Sequence, residues 1–413
     1  MRRPFLWLTL TIGLITLLAG SLYYARIDRF WGITQTDFSV FYHAGHQLDR
    51  GLSMYEHHPT HYTTNAEYLF KYAPPFGLAM IPLARFTVQT AIRWWYAITA
   101  LALIGACWGI HGLVHAALVS RRHAWAINGL LLLSVLRPYL ATLRLGQVDV
   151  VLAGCLIAFL VALHQRRDAL AGWWLGIPIL CKLVPSVWLL YLAATRRWRT
   201  LGWTLIAVLS YLASPLLRLG VAGTRRAIAE WLGVLNTSRG NLEWLLRYKN
   251  QSVVSAVLRV VAGPHAETAT SAQVAVALGI TGVLGLLYAG LVWRAVQRSC
   301  ETSDPLQTLA APSLVMIGMV VFSPHAWIAT FIHLLLPYGV LITHLVTRAP
   351  RDRIGWGLLG VSFLLVSATA PDAGLGSSLS HTVHFLTPML WGALCLAAGV
   401  WRLVGECEVR VGR

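Results

Sequence analysis

The chain has 413 residues, of which 57% are hydrophobic and only 12% charged, with a mean hydropathy of +0.62. Soluble globular proteins carry roughly 25% charged residues, so composition excludes a soluble fold, a disordered chain and a collagen-like repeat, and leaves a polytopic membrane protein. The formal net charge of +17 does not argue for nucleic acid, because the basic residues cluster at the ends of apolar runs, as the positive-inside rule places them.

Spans of about 20 apolar residues mark the membrane helices. Pro4–Ala25, behind Met-Arg-Arg, reads as a signal anchor with the N-terminus inside: it has no small-residue cleavage site, and Ser21-Leu-Tyr-Tyr suits an interfacial belt. Further spans are Thr90–Leu113, Ala124–Tyr139, Gln147–His164, Thr200–Leu217, Val274–Trp293, Ile354–Ala370 and Val383–Leu403. The charge-free run Leu306–Thr347 holds two more, turning at Ser323-Pro324-His325.

The pairs Arg121-Arg122 and Arg166-Arg167, the cluster Arg196-Arg197-Trp198-Arg199, Arg294 with Arg298, and Arg348 with Arg351 and Arg353 all close apolar runs. For all of them to be cytoplasmic, residues 168–195 must enter and leave on one side. Lys182 divides that segment, and Pro178 and Pro185 interrupt it. Each half is too short for a ~30 Å hydrocarbon core, so the segment is expected to be a re-entrant helix pair; a single kinked helix is the alternative.

The expected fold is therefore all-α: one polytopic domain over 1–413 with about ten full transmembrane helices and the re-entrant pair. Residues 26–89, with interfacial amphipathic helices, and 218–273 form extracytoplasmic loops, and the outward segments hold most of the remaining polar residues.

Several side chains in or near those outward segments carry possible chemistry. Asp37, within Thr36-Asp37-Phe38 and among aromatic residues, reads from spacing alone first as a helix N-cap, with a partly desolvated carboxylate fit for a base as the alternative. Lys182 is an intramembrane charge and hence a functional candidate; it could hold a phosphate or bond the carbonyls freed near Pro178 and Pro185. Arg137 and Arg144 frame a short loop, where they could clamp an anionic headgroup or snorkel, with Asp149 neutralising one of them. His325 could donate to a phosphate or a sugar hydroxyl. Lys249-Asn250-Gln251 precedes an apolar stretch. His57-His58 with His61 lacks the partners of a metal site. The six cysteines form no CxxC pair and suggest neither a disulfide framework nor a metal site. No phosphate-cradling glycine motif follows a strand.

Taken in order, these pieces resemble the polyprenol-phosphate-sugar-dependent glycosyltransferases of bacterial glycosyltransferase family 87, within the GT-C superfamily, which includes mycobacterial mannosyltransferases. The resemblance rests on Thr36-Asp37-Phe38, Val40-Phe41-Tyr42-His43-Ala44, Gly51, Tyr55, Tyr72-Ala73-Pro74-Pro75, Gly146-Gln147-Val148-Asp149, Gly172 through Lys182-Leu183-Val184-Pro185, Asn250-Gln251-Ser252 and Ser323-Pro324-His325-Ala326-Trp327. It departs at Asp149, Val184 and Ile328-Ala329-Thr330, the last beside the outer turn.

The resemblance implies inverting transfer of a hexose, mannose by family precedent, from a polyprenyl-phosphate-linked donor to a lipid or glycan acceptor, at the outer face of the bacterial cytoplasmic membrane. Asp37 would be the general base. Lys182, Arg144 and His325 would stabilise the donor phosphate, with His43, Tyr55, Gln147, Asn250 and Gln251 as possible substrate contacts. No metal, cofactor or nucleic acid is expected, and membrane lipids are the surrounding partner. A lipid-linked-sugar flippase without transferase activity is the alternative function.

Overall fold

The computed structural model describes residues 2–26, 36–56, 70–114, 117, 121–240, 243–263, 268–299, 302–368, 383 and 385–411. Among them there are helices and turns but no strand. His57, His58 and His61, and all of residues 371–382, lie outside the described residues.

The first half comprises α1 (Arg2–Arg26), α2 (Asp37–Asp49), α3 (Pro74–Ala84), α4 (Val88–Val114), α5 (Arg121–Leu145), α6 (Asp149–His164), α7 (Asp168–Cys181), α8 (Val187–Ala194) and α9 (Trp198–Ala213). The second comprises α10 (Leu216–Gly240), α11 (Glu243–Leu246), α12 (Val253–Ala262), α13 (Ser271–Ser299), α14 (Pro305–Thr308), α15 (Ala310–Val321), α16 (Leu335–Thr347), α17 (Arg353–Phe363) and α18 (Pro388–Val411). Among the described residues, five helices are long and apolar enough to cross a membrane, or six if α9 and α10, bent by 88°, count as one. The other apolar runs form shorter helices. The run Leu306–Thr347 gives one of each: after the shorter α15 the chain turns through Ser323–Trp327 and re-enters as a 3₁₀ segment, Ile328–Leu334, that continues into α16 as one of the five long spans.

Small residues set the close crossings. A Cβ on Gly109 would lie 2.5 Å from Ile157, and one on Gly154 3.2 Å from the Ala102 carbonyl, so α4 and α6 run side by side in the same direction. The C-terminal part of α1 meets the start of α4 where Gly20 abuts Tyr96. It also meets α5 through a 2.5 Å hydrogen bond between Thr16 and Tyr139.

The segment 168–195 is a hairpin. Thr200 Oγ1 donates to Asp168 Oδ1 at 2.5 Å, and Gly172 and Gly176 press onto Thr204 and Ala207, so α7 and α9 run parallel and in register. The chain between them must therefore go out along α7 and return along α8. The reversal falls after Cys181 ends the helix, where Lys182 takes an extended backbone conformation and Val184–Ser186 makes a 3₁₀ turn. At ~1.5 Å per residue, the 14 residues of α7 reach about 21 Å, close to the ~24 Å of the 16-residue α6 beside it. Lys182 therefore sits level with the first residue of α6, at one end of the bundle.

That same end collects α2 and α3, which cross where Gly45 meets the backbone of Met80. Past its bend, α10 closes over them: Arg218 donates to the carboxylate of Asp49 at 2.8 Å, Ser53 donates to Glu230 at 2.7 Å, and Trp231 Nε1 donates to the Lys71 carbonyl at 3.2 Å.

Candidate functional site

Asp37 opens α2. The capping position belongs to Thr36, whose side chain makes no capping hydrogen bond. The Asp37 carboxylate instead accepts from Gln147 Nε2 at 2.5 Å. This meeting is built by the loop between α5 and α6. Gly146 has φ +66°, and a Cβ there would fall 2.5 Å from the Phe38 Cβ. Trp95 Nε1 donates to the Gly146 carbonyl at 3.0 Å. A glycine in the left-handed region lets the loop lie directly on the first turn of α2, with α4 holding it from behind. Asp37 is half-buried. Burial, reinforced by the negative charge of Asp149, pushes its pKa up to about 6 against the opposing pull of Lys182, Lys71 and the Gln147 hydrogen bond.

Asp149, the first residue of α6, is fully buried. It pairs with Lys182, whose Nζ lies 2.7 and 2.8 Å from its two oxygens, and His333 Nε2 stands 3.5 Å from Oδ1. This corrects the sequence expectation that Asp149 neutralises one of the loop arginines. The Lys182 ammonium is committed to Asp149 rather than to carbonyls near its flanking prolines; its backbone N–H bonds Pro178 at 2.8 Å. Pairing is the condition for two charges to persist away from water.

His325 lies at this same end of the bundle, exposed on one side and against protein on the others. This partial burial, with the positive charges of Lys71 and Lys182, pushes its pKa down to about 4, leaving a neutral imidazole at pH 7. Its turn is fixed by Asn250 and Gln251. Asn250 Nδ2 donates to the Pro324 carbonyl at 2.8 Å and its Oδ1 accepts from Ala326 N at 3.1 Å. Gln251 donates its backbone N–H to the Ala326 carbonyl at 2.9 Å, and its side chain bridges the Tyr248 carbonyl and Met389 N. Both residues are fully buried and direct their amides to main chain, holding the turn that carries His325.

The remaining sequence candidates are more dispersed. Arg144 is half-buried in the last turn of α5, three residues before Gln147. His43 is buried within α2 and pairs with Gln47 one turn on, at 3.2 Å. Tyr55 donates to the Tyr72 carbonyl at 2.7 Å. No group of three or more potential metal ligands occurs among the described residues.

Two residues at this end escaped the sequence reading. His333 looked like one more position in an apolar run. Lys71, half-buried with its Nζ 5.4 Å from the Trp244 ring centroid, follows a stretch with no periodic signal.

A half-buried carboxylate thus lies beside cations gathered at one end of an all-helical membrane bundle. Residues 70–324, well over half of the chain, match the model of glycosyltransferase family 87, and the chain belongs to that family. It is a membrane glycosyltransferase. No match was found among curated proteins. The matched stretch includes Lys71, Gly146, Gln147, Asp149, Lys182, Asn250 and Gln251; Asp37 precedes it, and His325 and His333 follow it.

Proposed function

We propose that the enzyme transfers a hexose, with mannose the first to test, from a polyprenyl-phosphate-linked donor to a lipid or glycan hydroxyl at the extracytoplasmic face of the bacterial inner membrane. The hairpin α7–α8 is then re-entrant from the cytoplasm, bringing Lys182 up to the outer end of the bundle. Asp37 acts as general base, taking the acceptor proton as that oxygen attacks the anomeric carbon from the side opposite the phosphate, which inverts the configuration. Lys182 and Arg144 are the candidate cations toward the leaving phosphate, whose charge develops as the bond breaks, and the neutral His325 is a candidate hydrogen-bond donor to it.

The observation that carries this reading is the Asp37 carboxylate itself: half-buried, oriented by Gln147, and with its pKa raised to about 6. A base works best with a pKa near the working pH and a fixed direction. At pH 7 this one is largely ionised and ready to accept a proton.

The test is sugar transfer by the purified protein in lipid, given a panel of polyprenyl-phosphate sugars with a host lipid extract, and compared with Asp37→Asn. Product from the native protein and none from the folded variant is the expected result. Equal product from both would remove Asp37 from the mechanism. Flipping of lipid-linked sugar without transfer would move the chain's role to transport.

A further inference from the structure

Lys182 is poorly suited to be the principal ligand of an incoming phosphate. Its ammonium already faces both oxygens of Asp149, a carboxylate 1% exposed and fixed at the start of α6. An anion arriving there meets a charge that is already matched.

Lys71 differs on each count. Among the described residues no carboxylate lies within salt-bridge distance of it. Its main chain is nevertheless anchored: Trp231 Nε1 holds its carbonyl at 3.2 Å, and the next carbonyl, of Tyr72, accepts from Tyr55 at 2.7 Å. Only the flexible side chain is free to move, and its ammonium rests over the Trp244 ring. Trp244 in turn leans on Trp327, with centroids 5.8 Å apart. Trp327 lies two residues beyond His325 on the turn clamped by Asn250. The Trp327 indole N–H is buried and has no acceptor among the described residues, a condition that costs free energy until an acceptor arrives. The Lys71 charge also bears on both Asp37 and His325.

We propose that Lys71 is a phosphate ligand of the transfer site, receiving the phosphate of an isoprenyl phosphate or of its glycosyl diester, with the Trp327 indole N–H as a second donor. This rests on the polyprenyl-phosphate donor reading above. As the acceptor oxygen bonds to the anomeric carbon, the bond from that carbon to the phosphate oxygen breaks and its electron pair stays with the phosphate. The acceptor's proton passes to Asp37. Asp37 loses its negative charge in the step in which the phosphate gains one, so the negative charge that Lys71 faces passes from the base to the phosphate. A compact ammonium on a flexible stem suits that exchange.

The experiment measures equilibrium binding of farnesyl phosphate, and of farnesol as its uncharged counterpart, to the full chain in lipid nanodiscs. The proteins compared are wild type, Lys71→Gln, Lys71→Arg and, as a control, Lys249→Gln, whose lysine is exposed on the same outer segment. Wild type should prefer farnesyl phosphate. Lys71→Gln should weaken that ligand by about tenfold to a hundredfold, the range for one charge-assisted hydrogen bond, and leave farnesol unchanged. Lys71→Arg should stay within a few-fold of wild type, and Lys249→Gln should match it.

A wild-type protein that binds both probes equally would defeat the donor reading, and this proposal with it. If wild type prefers farnesyl phosphate and Lys71→Gln keeps that preference, Lys71 is not a ligand while the donor reading stands. Equal loss of both probes in Lys71→Gln would overturn the proposal in favour of a packing role. Displacement of farnesyl phosphate by an equal concentration of inorganic phosphate would overturn the isoprenyl assignment.

Discussion

Replacing Gly146 with alanine tests whether the contact between the α5–α6 loop and α2 sets the position of the base. Two costs arise at once. Gly146 has φ +66°, and a left-handed conformation disfavours a residue bearing a Cβ by roughly 1–2 kcal/mol. The new methyl would also sit 2.5 Å from the Phe38 Cβ and 3.1 Å from its backbone nitrogen. Neither is the movable end of a side chain, so backbone must shift, and overpacking of this kind costs about 1–3 kcal/mol. The shift separates Gln147 from Asp37, and a displacement of about 1 Å at a reacting group lowers turnover about a hundredfold.

Gly51 provides the control. It too has a positive φ, +74°, but nothing lies within 4 Å of its would-be Cβ, so Gly51→Ala should incur only the conformational part. Thermal unfolding in lipid, together with kcat for sugar transfer, measures both effects. Gly146→Ala should melt well below Gly51→Ala and lose turnover, whereas Gly51→Ala should keep it. Equal melting temperatures and wild-type kcat in Gly146→Ala would refute the reasoning.

The pH profile of kcat/KM should have an acid limb near pH 6, where Asp37 protonates. The Gln147 hydrogen bond favours the ionised carboxylate, so Gln147→Leu should move the limb to higher pH; movement downward, or none, would contradict the assignment. Lys182→Ala leaves Asp149 buried and without its bidentate partner, which should destabilise by about 3–5 kcal/mol. The double variant Lys182→Met with Asp149→Leu should recover much of the melting temperature without recovering transfer, separating the structural from the chemical value of the pair. Asn250→Ala orphans the Pro324 carbonyl and the Ala326 N–H, at about 1–3 kcal/mol for each buried group. Limited proteolysis should then cut within Ser323–Trp327 faster than in wild type, and an unchanged cutting rate would show that the turn is held by other means.

Much of the frame was legible because composition and charge speak directly to it. Apolar runs closed by arginines located the helices, and the demand that those arginines share one side led to the hairpin, which the α7–α9 register bears out. Asp37 and Lys182 stood out as charges in apolar surroundings. Their partners did not, since pairing depends on which helix ends meet. Asp149 and Lys182 are brought together because α6 and α7 are nearly equal in length and run in opposite directions. His333 was hidden by lying on a 3₁₀ turn within a run that reads as uniform, and Lys71 because an isolated lysine in a loop has no pattern. For Asp37, hydrogen-bonding preference pointed to capping, while a glycine more than a hundred positions away brought it a glutamine instead.

The Asp149–Lys182 pair also has a mechanical meaning. It joins two points separated by 33 positions at the far ends of neighbouring helices, closing the intervening chain into a tied loop. A force applied at the C-terminus and drawing α7 out would load that knot before it loaded α6. The two helices should therefore leave the membrane as one block, with a single rupture step and an extension set by the whole tied segment.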